Sequence, residues 1–282
     1  MSIAYQQRPT GRLWTLQDLA DHYGPIPMSR VHSDPPPGLA TEEDLLRINA
    51  QDGHLCELDC GMLIEKRVAD IEGVLTPEDL LARFGPIPLS RIRTSPPPGK
   101  ATAEDAIRLT EEKVALCEFV DGILVEKTMG MYESGIAVAI ASLLYAYVSK
   151  NHLGVTGGEA CMMKVLSNRV RMPDVCFISF EQFPHGKVPR EAAPRVYPDF
   201  AVEVISSGNT RKEMDDKLHE YFAAGTRLVW YVYPDERHVH VYTSLDDVQV
   251  VTDGTLTGEP VLPGFEISLD QIFHLPGWPK ED

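Results

Sequence analysis

A chain of 282 residues, 43% hydrophobic and 24% charged, can fold as one large domain or a domain with an appendage, and it is too apolar to be disordered. Its net charge of −16 argues against a nonspecific duplex binder, which carries a basic stripe to displace counterions. The opening MSIAYQQRPT has no apolar stretch and no run approaches the roughly 18 apolar residues that a membrane span needs, so a soluble, cytoplasmic protein without membrane contact is expected.

The first regularity in chain order is a repeat. Thr15–Lys66 aligns without a gap on Thr76–Lys127, 61 residues on, with roughly half the positions identical. Each copy reads as a helical segment, the phrase GPIP, an extended stretch, a PPPG turn, a second helical segment and a strand pair. Thr41 and Thr102 are expected N-caps, with Asp44 and Asp105 three residues on at the positive helix end. Asp121-Gly122 is a hairpin turn signal, and the first copy has Cys60-Gly61 there. The PPPG segments read as stiff connectors rather than ligands for a partner. We therefore expect an N-terminal module over residues 1–72, built on the first copy, and a main domain over 73–282 that includes the second. The five cysteines stand in apolar contexts and suit reduced thiols. Cys56 and Cys60 have no second ligand pair at zinc-like spacing, so no zinc site is expected.

From Tyr132 to Asn151 the pattern is a helix apolar over most of its surface, stopped by Gly154 and packed on a sheet. Strands are expected over 159–166 and 170–179, then a basic loop over 181–198 carrying Lys187, Arg190 and Arg195, suited to a substrate flap. Strands over 226–233 and 238–243 surround Pro234-Asp235, and a closing pair is expected over 249–252 and 260–262. Ser268 can cap a last short helix. His238 and His240 alternate on one strand and read as exposed edge residues rather than ligands.

Between Arg171 and Tyr233 the residue types point to chemistry. Asp174 precedes the apolar run Val175–Ile178, a strand buried on both faces. Glu203 lies within Ala201, Val202, Val204 and Ile205, where an unpaired carboxylate would cost several kcal/mol, so it needs a cation, a donor or a proton. A helix over 211–224 ends at Gly225, with Met214, Leu218, Tyr221 and Phe222 as its apolar stripe. Lys217 stands beside that stripe and can lean over the strand ends. Singly, Asp174 reads as a turn residue and Lys217 as a solvated one; two carboxylates at neighbouring strand ends with one ammonium suit a divalent cation and a phosphate.

The phrases ILVEK, RMPDV, PDFAVEVIS, K-x3-Y-x3-G-x4-WYVYP and LPGFEISLDQIF, in that order from about Ala101 to Phe273, resemble the Uma-type family of restriction-endonuclease-like proteins, within the PD-(D/E)XK nuclease superfamily. The resemblance implies an α/β fold: a restriction-endonuclease-like core with a mixed central sheet flanked by helices, to which this chain adds its N-terminal duplicated helix and strand-pair module. It also implies that Glu118 stands at the family's early strand glutamate, Asp174 at its PD aspartate and Glu203 at its strand acid. The lysine two residues after that acid is replaced by Ile205, and Lys217, at the family's helical lysine, is expected to supply the ammonium. Glu133 and Ser134 stand where relatives often have a histidine.

The expected activity is endonucleolytic hydrolysis of phosphodiester bonds with Mg2+ or Mn2+. Asp174 and Glu203 would be metal ligands with a carbonyl near Val204, Glu118 would orient a water or hold a second ion, and Lys217 would act beside the nucleophile. Nucleic acid, DNA first, is the expected partner, and a homodimer would serve to cut two strands. Two other readings stay open. One is an inactive nuclease-fold interaction protein, and the other is a hydrolase of small phosphates.

Overall fold

A computed structural model describes residues 13–51, 54–66, 72–128 and 130–274. They divide into two compact units. One holds the described residues up to Asp105 with Phe119–Glu126 and Thr210–Glu213; the other holds Ala106–Glu118, Lys127–Asn209 and those from Met214 on.

The chain begins with α1 (Leu16–Tyr23), a 3-10 turn (Met28–Arg30), α2 (Glu42–Asn49), β1 (Cys56–Asp59) and β2 (Met62–Glu65). Each recurs 61 residues on as α3 (Pro77–Phe84), a 3-10 turn (Leu89–Arg91), α4 (Ala103–Glu111), β3 (Cys117–Val120) and β4 (Ile123–Glu126). The helices start where a threonine can satisfy a free N–H. Thr15, Thr41 and Thr76 each close a capping box with the aspartate three residues on, and Thr102 makes the same bonds with Asp105. Cys60-Gly61 takes the same left-handed turn as Asp121-Gly122, with φ 48° and 74° against 45° and 83°. A Cβ on Gly61 would lie 2.4 Å from the Gly38 carbonyl oxygen, so this turn tolerates a cysteine at its first position but only glycine at its second.

The first unit's core gathers Leu16, Leu19, Met28, Leu80, Phe84, Leu89 and Ile123. Among the described residues it holds a long-range, buried, bidentate ion pair. Arg91 Nη1 and Nη2 donate to Glu213 at 2.8 and 2.7 Å, and both side chains are almost fully enclosed. Arg91 therefore does not contribute to a surface basic group.

The second unit is organised by a six-stranded sheet. After α5 (Met131–Asn151) come β5 (Gly154–Gly158), β6 (Met163–Leu166), β7 (Arg169–Arg171), β8 (Val175–Ser179), β9 (Phe200–Val204), α6 (Arg211–Ala224), β10 (Leu228–Tyr233), β11 (His238–Tyr242), β12 (Val248–Val251), β13 (Thr255–Thr257), β14 (Glu266–Ser268) and α7 (Leu269–Phe273). The sheet order is β12-β11-β10-β9-β8-β5. Only β9 and β10 run parallel, because α6 carries the chain back between them; the other pairs are antiparallel. The sheet is mixed and flanked by helices, as expected. Helix α5 buries Ile136, Ala137, Ile140, Leu144 and Val148 against Phe177, Phe200, Val202 and Trp230 of one sheet face.

Several local expectations are corrected. Helix α5 ends with His152 in the left-handed conformation, and Gly154 starts β5, where a Cβ would lie 2.1 Å from the Ile178 carbonyl oxygen. By length and composition α5 could cross a membrane, so one segment does reach that threshold. The stretch 170–179 is two strands, broken at Met172–Asp174. Residues 260–262 form no strand, and the closing pair is β13 with β14, which leads into the Ser268 capping box of α7. His238 and His240 lie on β11, inside the sheet between β10 and β12, half-buried and packed against Tyr233.

Candidate active site

Alternation along β9 sets the site. Phe200, Val202 and Val204 face α5, while Ala201 and Glu203 face α6, where Ala201 packs with Met214, Leu218, Tyr221 and Tyr231. Glu203 is thus the one carboxylate on a strand face whose other positions are apolar. The β8–β9 register ends with Val175 opposite Val202, and Asp174, the next residue, accepts from the Val204 N–H, which holds it beside Glu203. Pro173, which cannot extend the ladder, ends β7's run and leaves Asp174 at the mouth of β8.

The cluster is buried: Glu118 is 1%, Glu203 4%, Lys217 4% and Asp174 5% exposed, so each charge must find a partner inside the protein. Lys217 Nζ lies 3.1 Å from Glu118 Oε1 and 3.2 Å from Glu203 Oε1. The Tyr221 hydroxyl, one turn along α6, donates to the same Glu203 Oε1 at 2.6 Å. Lys127 Nζ donates to Asp174 Oδ1 at 2.6 Å and to the Met172 carbonyl at 2.5 Å, while the Val204 N–H donates to Asp174 Oδ2 at 2.7 Å. Arg171 Nη1 donates to Glu118 Oε2 at 2.7 Å and the Met172 N–H to Oε1 at 3.1 Å. Glu220 then accepts from Arg171 Nε at 2.7 Å and from Arg169 Nε at 2.6 Å.

These surroundings split the carboxylates. Burial would push Glu118 up, but Lys217, then Arg171 and Lys127, hold it at about 2. Burial raises Glu203, and the neighbouring Asp174 and Glu118 charges add to that rise against the pull of Lys217. Burial likewise pushes the Tyr221 hydroxyl up, so it stays a donor.

The four residues singled out from the sequence lie close together, Glu118 and Glu203 joined through Lys217, and Asp174 held to β9 by the Val204 N–H and paired with Lys127. Tyr221 braces the carboxylate of Glu203. Sequence reasoning passed over Lys127 and Arg171. Both had a signal: Lys127 closes the ILVEK phrase, and Arg171 opens RMPDV, one cation beside each acid-bearing strand. Arg169 and Arg171, two cations one residue apart on β7, are both spent on Glu220 and Glu118. Ile205, where a strand lysine would stand, packs against the apolar cluster of α6. The second Pro-Asp pair, Pro198-Asp199, is structural: Asp199 accepts from the Ser179 N–H, Gln182 and Arg227.

Residues 103–270 match the Uma2 family model, described as "Putative restriction endonuclease". A solved structure from Anabaena variabilis ATCC 29413, described as "a putative nuclease belonging to DUF820", is similar with a TM-score of 0.51 and 18% identity, over 56% of this chain and 89% of that one. That likeness is one of fold. No curated protein matches the chain.

Proposed function

Because the chain belongs to the Uma2 family, we propose that it is a metal-dependent endonuclease that hydrolyses phosphodiester bonds in DNA through the cluster of Asp174, Glu203, Glu118, Lys217 and Lys127. The observation that carries this reading is a set of buried carboxylates on register-opposed strands, with two ammonium groups in direct contact with them. The donor set is all oxygen, which suits a hard ion such as Mg2+ or Mn2+. Burial raises Glu203 and the neighbouring Asp174 and Glu118 charges add to the rise, and a cation there would offset both. Asp174 and Glu203 would hold such an ion. Bound there, it would lower the pKa of a water and offset charge on the phosphate.

The chain's own groups do the rest. Arg171 and the Met172 N–H fix Glu118, and Tyr221 fixes Glu203, so the carboxylates are oriented before substrate arrives. Lys217 and Lys127 supply positive charge where a phosphate oxygen would gather electron density. The exposed Lys187, Arg190 and Arg195 of the basic loop are suited to a DNA backbone. A homodimer would present two such sites for two strands.

The test is cleavage of supercoiled, linear, single-stranded and branched DNA in Mn2+ and Mg2+. Asp174→Ala and Glu203→Ala should each lower cleavage by at least about 100-fold with the fold retained, the order expected when an electrostatic group of a site is removed. Retained cleavage in either variant would exclude this assignment. One observation favours a second reading: each of the three carboxylates already contacts a lysine or arginine, as in a structural ion-pair network. If calorimetry finds no Mn2+ binding and no DNA is cut, the unit is an interaction module that keeps the nuclease fold.

A further inference from the structure

The hairpin β1–β2, in the first unit, carries a different set of chemistry-bearing side chains. His32 Nε2 lies 3.2 Å from Glu65 Oε2 and 3.2 Å from Cys56 Sγ. Cys56 Sγ is 3.3 Å from the same carboxylate oxygen, and His54 Nδ1 is 3.0 Å from it. The donor atoms of His32, Cys56 and Glu65 all fall within 4.8 Å of one another. Two ligands held about 2.0 and 2.3 Å from a tetrahedral ion lie about 3.5 Å apart, so the spacing of His32, Cys56 and Glu65 needs a shift of only a few tenths of an ångström, and His54, whose ring centroid is 5.7 Å from that of His32, would swing in as the fourth ligand.

The four side chains are held by their backbone surroundings. The Leu55 N–H occupies the other oxygen of Glu65 at 2.6 Å. Asn49 grips both sides of Cys56, accepting from its N–H at 2.6 Å and donating to its carbonyl at 3.0 Å. The His32 N–H donates to the Leu63 carbonyl at 3.1 Å. Supporting bonds of this kind orient metal ligands in known sites.

The same positions 61 residues on provide an internal control. His32, His54, Cys56 and Glu65 correspond to Arg93, Ala115, Cys117 and Glu126. There the Arg93 guanidinium meets Glu126 at 2.7 Å, a permanent cation on the carboxylate. The first hairpin has no arginine at that place and turns two imidazoles and a thiol toward the carboxylate instead. A thiolate, a carboxylate and two neutral imidazoles are neutralised by one divalent ion.

We propose that His32, His54, Cys56 and Glu65 form a structural site for a borderline-soft divalent ion of the Zn2+ class, separate from the carboxylate cluster of the other unit. The mixed nitrogen, sulfur and oxygen donors select against Mg2+ and Mn2+, which prefer oxygen alone. The ion would join the segment after the first 3-10 turn, the approach to β1 and both strands of the hairpin. The sequence hid this site because its ligands are single residues spread over 32–65, with no paired Cys-x-x-Cys spacing.

The experiment is titration of the reduced, metal-stripped full chain with Co2+ alone. The expected result is one equivalent bound with a thiolate-to-cobalt band in the near ultraviolet and tetrahedral bands in the visible, all displaced by Zn2+. The bands persist in Asp174→Ala with Glu203→Ala and in Cys60→Ser, and vanish in Cys56→Ser. His54 is half-exposed, so His54→Ala leaves the fold intact and should weaken Co2+ binding at least about tenfold. Absence of a thiolate band in the wild type, its persistence in Cys56→Ser, its loss in Cys60→Ser, or unchanged affinity in His54→Ala would each overturn the proposal.

Discussion

Glu203 and Glu118 touch the same ammonium, yet their protons are held with opposite strength. Glu118 adds Arg171 and a backbone N–H to Lys217, whereas Glu203 adds two neighbouring carboxylates. Ionised Glu203 is therefore a local cost to the fold. Glu203→Gln keeps an acceptor for Tyr221 and removes the charge. It should abolish metal-dependent cleavage while leaving the metal-free protein at least as stable as wild type, the usual exchange between function and stability. Equilibrium urea unfolding of both proteins in a chelator checks this, and a less stable variant would refute it. Glu118 gives the opposite pH behaviour. Its folded value of about 2 lies below the ordinary 4.5, so its stabilising contribution is complete above pH 4.5 and is lost as pH falls toward 2. The urea midpoint should fall over that window, and fall less steeply in Glu118→Gln.

Helix α6 shows how one element serves two environments. Its N-terminus is closed by the Thr210 hydroxyl, which accepts from the Glu213 N–H at 3.1 Å, and Glu213 then meets Arg91 in the first unit. Its later turns place Met214, Leu218 and Tyr221 on the sheet with Lys217 among them. Removing one member of a buried bidentate pair strands the other, which typically costs about 3–5 kcal/mol. Arg91→Met should lower unfolding free energy by that order, and adding Glu213→Met should recover much of it. Chemical denaturation of the two variants decides this; a single variant within about 1 kcal/mol of wild type would show that the pair carries no net stability.

At the scale of the whole molecule, the net charge of −16 limits how DNA, the proposed substrate, can be held. Arg91, Arg93, Arg169 and Arg171 are all paired with carboxylates, whereas Lys187, Arg190 and Arg195 of the basic loop are exposed. If these three alone neutralise phosphates, the slope of log affinity against log salt should be no steeper than about −3. Replacing all three by alanine should flatten it toward zero without changing Mn2+ binding. A slope near −8 in the wild type would require a larger basic surface and refute this count.

The capping threonines, the turn at Asp121-Gly122 and helix 211–224 were legible in the sequence because each is set by side chains within a few residues of one another. Glu203 was legible because a charge inside an apolar segment demands a partner, and Asp174 and Lys217 only through their order and spacing with it. The partners themselves were decided by tertiary structure. Lys127 reaches Asp174 across 47 positions and Arg171 reaches Glu118 across 53, and which distant cations fill a buried site depends on strand register, which local pattern does not encode. The same holds for His32, His54, Cys56 and Glu65, unremarkable one by one until the hairpin brings three side chains onto one carboxylate oxygen.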